Sequence, residues 1–283
     1  MHLTLQLILA LRLMHIFRIH RRILLAGLLL LAAGCDNLFE YSPYKAGVRV
    51  PYSDLNLKAM KELEAQSSEA FAPFTIGVFG DTHTYYDDFE KQVARFNQQD
   101  SLAFIAHMGD LTLSGIYREF IWYRDISSKL KHPLLTLIGN HDYLSNGEFM
   151  YEEMFGPWNF TLVYNNCLFV FLDDIIWEKN VQDPDFAWLE SVLEGSEHYK
   201  YRFVLAHIPP WSAPFSKGNE YYYNMLMDKY GVDLSIHGHT HSYYYGQRYE
   251  NGPPYFTSSS SNKREVFYLD VKEDGFEIRK EDI

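Results

Sequence analysis

Residues 74–83 read FTIGVFGDTH, an apolar run that gives way to a glycine, an aspartate and a histidine. A short apolar run of this kind predicts a buried strand. Helical patterns and further apolar runs follow in the order β-α-β-α-β, and the next two strands are LAFIAHMGD at 102–110 and PLLTLIGNHD at 133–142. Because parallel strands need long crossover connections, this order predicts parallel strands covered by helices.

The rest of the chain adds strands to this pattern. Apolar or alternating runs occupy 160–166, 167–174, 201–207, 232–239 and 242–278. The predicted helices are 55–66, capped by Ser53 or Asp54, and 88–98, 117–130 and 184–194. The order predicts an α/β fold, a four-layer α/β/β/α sandwich in which two facing mixed sheets are flanked by helices.

Five of the predicted strands run out into side chains that can bind a metal ion. These side chains are Asp81 with His83, then Asp110, then Asn140 with His141 and Asp142, then His207, and finally His239 with His241. In parallel α/β sheets, ligands bind in the crevice at the carboxyl ends of the strands. We therefore expect the five groups to converge on one site.

The spacing of the pairs adds detail. Asp81 and His83 lie two residues apart, so in an extended segment their side chains would point the same way, and His239 and His241 repeat that spacing. A glycine precedes four of the five groups, all except His207, and is expected to allow a sharp turn or a positive φ. These glycines are Gly80, Gly109, Gly139 and Gly238. Mixed imidazole and carboxylate ligands favour Mn, Fe, Zn or Ni over Ca.

The ordered blocks GDTH, GD, GNHD, a lone histidine after a strand, and GHTH resemble the calcineurin-like metallophosphoesterases over about residues 74–241. In that family two metal ions share a bridging aspartate, and a bridging hydroxide attacks phosphorus. The resemblance implies that Asp81, His83 and His241 hold one ion, that Asn140, His207 and His239 hold the other, and that Asp110 bridges them. The implied activity is hydrolysis of small phosphomonoesters or phosphodiesters.

Two residues beside the implied ligands are expected to support catalysis. His141 would stabilise charge on the phosphoryl group or protonate the leaving oxygen, and Asp142 would orient His141 or lie in the layer of residues around it. Purple acid phosphatases place a tyrosine three residues after the bridging aspartate, whereas this chain has Leu113. We therefore expect no purple colour.

Other conspicuous residues have simpler interpretations. His107 is interpreted as a core histidine bonded to a carbonyl, and His237 as a supporting residue. Asp173 and Asp174 end a strand, but the resemblance draws no ligand from them. The stretch 209–220 is rich in Pro, Gly and Ser and is predicted to be a loop over the site. The predicted substrate contacts in this stretch are Trp211, Lys217 and Asn219, and the tyrosines at 221–223 and 243–245 either pack the sandwich or line the substrate entrance.

The amino terminus predicts export. An apolar run at 23–33 follows the basic patch RIHRR and is shorter than the ~20 residues that a membrane-spanning helix needs. The sequence LLAAGCD resembles the lipobox of bacterial lipoproteins, which implies acylation of Cys35 and a protein anchored on the periplasmic or cell-surface side. An uncleaved signal anchor is the alternative, and translation could start at Met1 or Met14. The predicted organisation is a signal peptide at 1–34, a tether with a short helix at 35–72 and the catalytic domain at 73–283.

Charge restricts the partners. The first 34 residues hold four of the 25 basic side chains and no acidic one, so the remainder has 21 basic and 37 acidic side chains, a balance of −16. Affinity for nucleic acid comes largely from basic side chains that neutralise phosphates, so nucleic acid is not an expected partner and a nuclease is disfavoured.

The alternative to an enzyme is a noncatalytic lipoprotein that binds phosphate or metal on the same scaffold. Loss of one ligand would mark it, and none is missing from the sequence.

Overall fold

The computed structural model describes Met14, Arg18, His20, Arg21 and Arg22, all helical, and residues 52–283. Most of the predicted signal peptide, together with Cys35 and the first part of the predicted tether, lies outside the described residues. Among the described residues, no helix combines the length and the apolar character needed to cross a membrane.

Six α-helices and eleven strands form the fold within residues 52–283. The helices are α1 Leu55–Gln66, α2 Tyr86–Phe96, α3 Tyr117–Ser127, α4 Gly147–Phe155, α5 Phe186–Leu193 and α6 Lys217–Lys229. The strands are β1 Phe74–Phe79, β2 Leu102–His107, β3 Leu134–Thr136, β4 Phe160–Tyr164, β5 Cys167–Leu172, β6 Tyr201–Ala206, β7 Leu234–His237, β8 Tyr244–Gln247, β9 Pro254–Thr257, β10 Glu265–Lys272 and β11 Gly275–Asp282.

The strands form two mixed sheets. The five-stranded sheet has the order β11-β10-β1-β2-β3, with β1, β2 and β3 parallel, β10 antiparallel to β1, and β11 antiparallel to β10. The six-stranded sheet has the order β4-β5-β6-β7-β9-β8, with β5, β6, β7 and β9 parallel and antiparallel strands at both edges. The predicted sandwich of two mixed sheets flanked by helices is confirmed.

Strand β5 shows how the layers are built. Phe169 and the residues two positions before and after it belong to the apolar cluster between the sheets. The Phe169 ring lies 5.2 Å from that of Phe104 on β2. Val170 and its alternate neighbours belong to a second cluster, which includes the buried side chains of the helices. Because every residue of β5 is buried, the strand reads as continuously apolar.

The sequence patterns miss two helices, α4 and α6. Helix α6 begins inside the predicted loop, where the Ser216 side chain accepts a hydrogen bond from the Asn219 amide. Glycine and three tyrosines weaken its helical propensity, but burial of Tyr223, Leu226 and Met227 on one face stabilises it. At the start of α1, Asp54 occupies the predicted N-cap position, but its backbone is left-handed and its side chain makes no capping hydrogen bond.

Candidate metal centre

The loops that follow β1, β2 and β7 bring four predicted ligands together. Donor atoms of Asp81, His83, Asp110 and His241 all lie within 4.8 Å of one another. Nε2 of His83 lies 3.1 Å from Nε2 of His241 and 3.5 Å from Oδ2 of Asp110. Nε2 of His241 lies 3.4 Å from Oδ1 of Asp81. These four side chains are the set that the sequence assigned to the first ion and to the bridge.

A second group of donors adjoins the first. Oδ1 of Asn140 lies 3.3 Å from Nε2 of His207 and 3.0 Å from Nδ1 of His239. Nε2 of His207 in turn lies 3.4 Å from Oδ2 of Asp110. The same oxygen of Asp110 therefore faces His83 in the first group and His207 in the second.

These spacings fit metal coordination. Two donors about 2.1 Å from one ion lie about 3.0–3.4 Å apart at octahedral or tetrahedral angles. The distances between neighbouring donors in both groups fall close to this range. Imidazole nitrogens mixed with carboxylate and amide oxygens match the donor preferences of Mn, Fe, Zn and Ni. The residues present therefore fit bound transition-metal ions.

The ligands sit on turns rather than on extended backbone. Strand β1 ends at Phe79 and β7 ends at His237, before the ligands begin. Five of the donors have positive φ. These are Asp81 at 51°, His83 at 47°, Asp110 at 57°, His239 at 65° and His241 at 55°. The expectation that paired ligands point the same way because their segments are extended is therefore wrong. Left-handed backbone costs about 1–3 kcal/mol at a residue other than glycine, so the fold strains its backbone where the donors converge.

Glycines next to the ligands allow close approach. Gly109 has a φ of +90°, and a Cβ there would lie 2.5 Å from Nδ1 of His207. Gly139 lacks a positive φ, but a Cβ there would lie 2.1 Å from the backbone nitrogen of Asp110. The expected positive φ occurs only at Gly109 among the four glycines that precede the ligands, and the other three are needed for space.

Backbone groups hold the ligands in orientation. The amide of His239 donates to both carboxylate oxygens of Asp81, at 3.0 and 3.1 Å, and the amide of His141 donates to Oδ1 of Asp110 at 2.9 Å. Nδ1 of His207 donates to the carbonyl of Met108 at 2.6 Å. Because a carbonyl can only accept, this bond leaves Nε2 of His207 as the nitrogen that can bind an ion.

Burial keeps most of the imidazoles neutral. It lowers the pKa of His83 and of His239 to about 4, so both rings can act as ligands at neutral pH. His207 differs: although burial alone would lower its pKa, the carboxylates of Asp110 and Asp81 raise it to about 10. The carboxylates therefore oppose the effect of burial at His207, and an ion that binds Nε2 requires the neutral imidazole.

His141 lies beside the first group of donors, with its ring 4.6 Å from that of His83. Its Nδ1 donates to the carbonyl of Leu113 at 2.7 Å, which leaves Nε2 free. The sequence analysis offered Asp142 as the residue that orients His141. In the structure, none of the hydrogen bonds of the Asp142 carboxylate involves His141. It accepts from the amides of Gly139, Leu111 and Thr112 and from the Thr112 hydroxyl.

Asp142 therefore links the loop that follows β2 to the loop that follows β3. Burial, with help from Asp110, raises the pKa of Asp142 to about 7. Its contacts hold together the loops that carry Asp110 and Asn140.

Two residues at the site were not assigned a role from the sequence. Asp174 accepts hydrogen bonds from the amides of His207 and Ile208, at 3.2 and 2.9 Å, and its position at the end of a strand was the signal for it. Glu178 accepts from Nδ2 of Asn140 at 3.1 Å and stands in no recognisable pattern.

The residues predicted to contact the substrate contact other residues of the protein in this structure. The Trp211 ring packs 5.4 Å from that of Tyr255, and Lys217 is paired with Glu220 at 2.6 Å. Asn219 is 7% exposed, and its side-chain amide donates to the carbonyl of Gln182. These contacts tie Asn219 to its neighbours, and the substrate roles of Trp211, Lys217 and Asn219 stay predictions.

His107, interpreted as a core histidine, and His237, interpreted as a supporting residue, are both fully buried. His107 bonds to the Thr82 hydroxyl at 2.8 Å, rather than to a carbonyl, and His237 bonds to the Ser235 hydroxyl at 2.8 Å. The tyrosines of the triplet at 221–223 differ in exposure: Tyr223 is buried in the core, whereas Tyr221 is 74% exposed.

The fold and the site together define a metal-dependent hydrolase on an α/β sandwich. The chain belongs to the calcineurin-like phosphoesterase family, whose family model matches residues 74–243. It is therefore a metal-dependent phosphoesterase. No curated protein matches the chain.

Solved structures share the fold at low sequence identity. Purple acid phosphatase PPD1 from yellow lupin (Lupinus luteus) seeds aligns with a TM-score of 0.60 at 15% identity, covering 76% of this chain and 53% of that chain. GAP50, the anchor in the inner membrane complex of Plasmodium, aligns with a TM-score of 0.58 at 14% identity, covering 74% and 84%. TT1561 of Thermus thermophilus aligns with a TM-score of 0.51 at 13% identity, covering 74% and 99%.

Proposed function

We propose that this chain hydrolyses small phosphomonoesters or phosphodiesters at a centre of two transition-metal ions, and that it does so as an exported, membrane-tethered lipoprotein. The observation that carries the dinuclear centre is the position of Asp110. Its Oδ2 lies 3.5 Å from Nε2 of His83 and 3.4 Å from Nε2 of His207, which belong to separate groups of donors. A single carboxylate oxygen that faces two such groups suits a bridge between two ions.

The ligands divide into two sets around this bridge. Asp81, His83 and His241 would hold one ion, and Asn140, His207 and His239 would hold the other. Two bound ions would lower the pKa of a shared water and neutralise phosphoryl oxygens. Because the imidazoles of His83 and His239 are neutral near pH 7, they need not lose protons to bind.

His141 is the residue we assign to the leaving group. Its side chain is partly exposed beside His83, and the Leu113 carbonyl fixes its ring through Nδ1. Nε2 can therefore donate a proton or a hydrogen bond to a substrate oxygen. Asp142 touches no substrate in this scheme and serves to join the two loops that carry Asp110 and Asn140.

Charge favours small substrates over polynucleotides. The balance of −16 beyond residue 34 repels an extended phosphate backbone. Bound ions supply a concentrated positive charge that a small phosphate ester can reach without contacting the acidic surface.

Metal content and turnover test this proposal together. The purified domain would be assayed with Mn, Zn or Fe against aryl phosphate monoesters and diesters. Asp110→Asn should bind fewer ions and lose at least about 100-fold in turnover, since even outer contacts to a metal ligand are worth 10- to 100-fold. The control Asp100→Asn changes an exposed aspartate outside the site and should retain wild-type values. Turnover that survives Asp110→Asn would contradict the bridge, and a wild-type protein without metal or turnover would favour the noncatalytic alternative.

The tether has a separate test. The basic patch, the apolar run at 23–33 and Cys35 support cleavage and acylation at that cysteine. Mass spectrometry of the membrane-extracted protein should show a chain that begins at an acylated Cys35, and Cys35→Ala should prevent acylation. An unacylated chain that retains residues 1–34 would overturn this part of the proposal.

A further inference from the structure

The carboxylate of Glu178 contacts a ligand of the second group. Nδ2 of Asn140 donates to Oε1 of Glu178 at 3.1 Å, while Oδ1 of the same amide faces His207 and His239 at 3.3 and 3.0 Å. An ionised carboxylate can only accept hydrogen bonds, so only the NH₂ end of the amide can face it. The contact therefore fixes which end of Asn140 is directed toward the two imidazoles.

The loop that carries Glu178 is anchored immediately after it. Nζ of Lys179 lies 2.6 Å from Oδ2 of the buried Asp173 and 4.7 Å from the centre of the Trp158 ring. The amide of Val181 donates to the carbonyl of Ile176 at 3.2 Å, which closes the loop around Glu178. The backbone thus presents the carboxylate from a fixed position.

The second oxygen of Glu178 has a different environment. Oε2 is buried, and among the described residues it has no hydrogen-bonding partner. Among the described residues, no lysine, arginine or histidine forms an ion pair with Glu178, and the neighbouring Lys179 is paired with Asp173. Its negative charge is therefore left to act on the amide of Asn140. A hydrogen bond from the NH₂ group to a carboxylate increases the electron density on the amide oxygen and strengthens it as a ligand.

We infer that Glu178 is a positioning residue for the second metal ion, which it serves by orienting and polarising Asn140. This inference rests on the proposed dinuclear centre. Glu178 makes no contact with the first group of donors in the described structure, so its effect should be confined to the second ion.

The test follows Mn²⁺ binding by calorimetry and by electron paramagnetic resonance, so that it does not depend on turnover. Wild-type protein should bind two equivalents and show the signal of an exchange-coupled pair. Glu178→Ala should bind the first equivalent normally and the second about 10- to 100-fold more weakly, as expected for loss of an outer contact to a ligand. Its spectrum at two equivalents should be that of isolated Mn²⁺.

Two further variants separate positioning from folding. Glu178→Gln keeps a side-chain oxygen that can accept from Asn140, so it should recover much of the second affinity although it lacks the charge. Glu153→Ala removes an exposed glutamate from α4 and should bind both ions like the wild type. A coupled signal and an unchanged second affinity in Glu178→Ala would overturn the inference while leaving the dinuclear centre intact. A wild-type protein that takes up only one ion would instead overturn the dinuclear centre itself.

Discussion

The side-chain amide of Asn56 pairs with the backbone of Thr136 at both of its hydrogen-bonding groups. Nδ2 donates to the Thr136 carbonyl at 3.0 Å, and Oδ1 accepts from the Thr136 amide at 3.0 Å. Thr136 ends β3, the outermost strand on that side of the five-stranded sheet. Asn56 therefore occupies the exposed edge as another strand would, and helix α1 belongs to the packed fold although the sequence placed it in a tether.

This pairing predicts a stability defect without a metal defect. In Asn56→Ala the Tyr151 hydroxyl still donates to the Thr136 carbonyl, but the Thr136 amide loses its partner. A buried unpaired group costs about 1–3 kcal/mol, so thermal or urea unfolding should show a decrease of that size with metal content unchanged. Gln66→Ala, at the exposed end of the same helix, is the control. Equal stability of Asn56→Ala and wild type would contradict the edge-capping role.

Gly139 should tolerate no side chain. The 2.1 Å separation between a Cβ at this position and the Asp110 nitrogen requires backbone movement. Gly139→Ala should therefore lose about 1–3 kcal/mol or more of stability, together with most of its bound metal. Gly218→Ala adds the same methyl group to α6, where the nearest atom is 3.6 Å away, and should be neutral or stabilising. Metal retention in Gly139→Ala would show that the ligand loops can shift without losing the site.

Removal of His141 should affect esters according to their leaving group. A proton donor contributes about 10²–10⁴-fold where the leaving oxygen is basic and much less where it is acidic. His141→Ala should consequently slow hydrolysis of alkyl phosphates far more than that of nitrophenyl phosphates. Metal content should stay at the wild-type level, since the ring is not among the assigned ligands. Equal losses on both substrate types would argue for a role in binding the phosphoryl group instead.

Asp270 predicts a pH-dependent contribution to stability. Hydrogen bonding to Arg279 and to Thr75 lowers the pKa of Asp270 below its usual value, despite an opposing effect of burial. A lowered carboxyl pKa stabilises the fold above the unfolded value of about 4, and the benefit disappears as the pH falls through the lowered pKa. Asp270→Asn should therefore be less stable than wild type at pH 7, by no more than about 1 kcal/mol because Arg279 is exposed. The two unfolding curves should converge in acid, and a constant difference across pH would contradict this origin.

The positions of the strands and of the metal ligands could be predicted because both leave local signals. A buried parallel strand is continuously apolar, and Asp81, Asp110 and His207 each come soon after such a strand. The direction of each side chain could not be predicted in the same way. The left-handed turns at Asp81 and His239 depend on contacts between distant segments, such as the bond from the His239 amide to Asp81.

Residues whose roles depend only on tertiary contacts gave no signal. Glu178 lies in a loop with no ligand-like spacing, and its role follows from one contact with Asn140 across the site. Helix α6 was missed because its tyrosines are poor helix formers, and burial of residues such as Tyr223 decides its structure. Asp142 was recognised as important, but its partners on the loop after β2 could not be derived from its position next to His141.

The division of ligands between the sheets gives the centre a mechanical role. Asp81, Asp110 and Asn140 follow strands of the five-stranded sheet, whereas His207, His239 and His241 follow strands of the six-stranded sheet. Each proposed ion would be bound from both sides, so the two sheets could not separate without breaking coordination bonds. At a free ion concentration a thousand times its dissociation constant, each ion would add about 4 kcal/mol to the free energy of unfolding. The proposed centre would thus hold the two sheets together, and scarcity of metal would lower the activity of the enzyme and the stability of its fold at the same time.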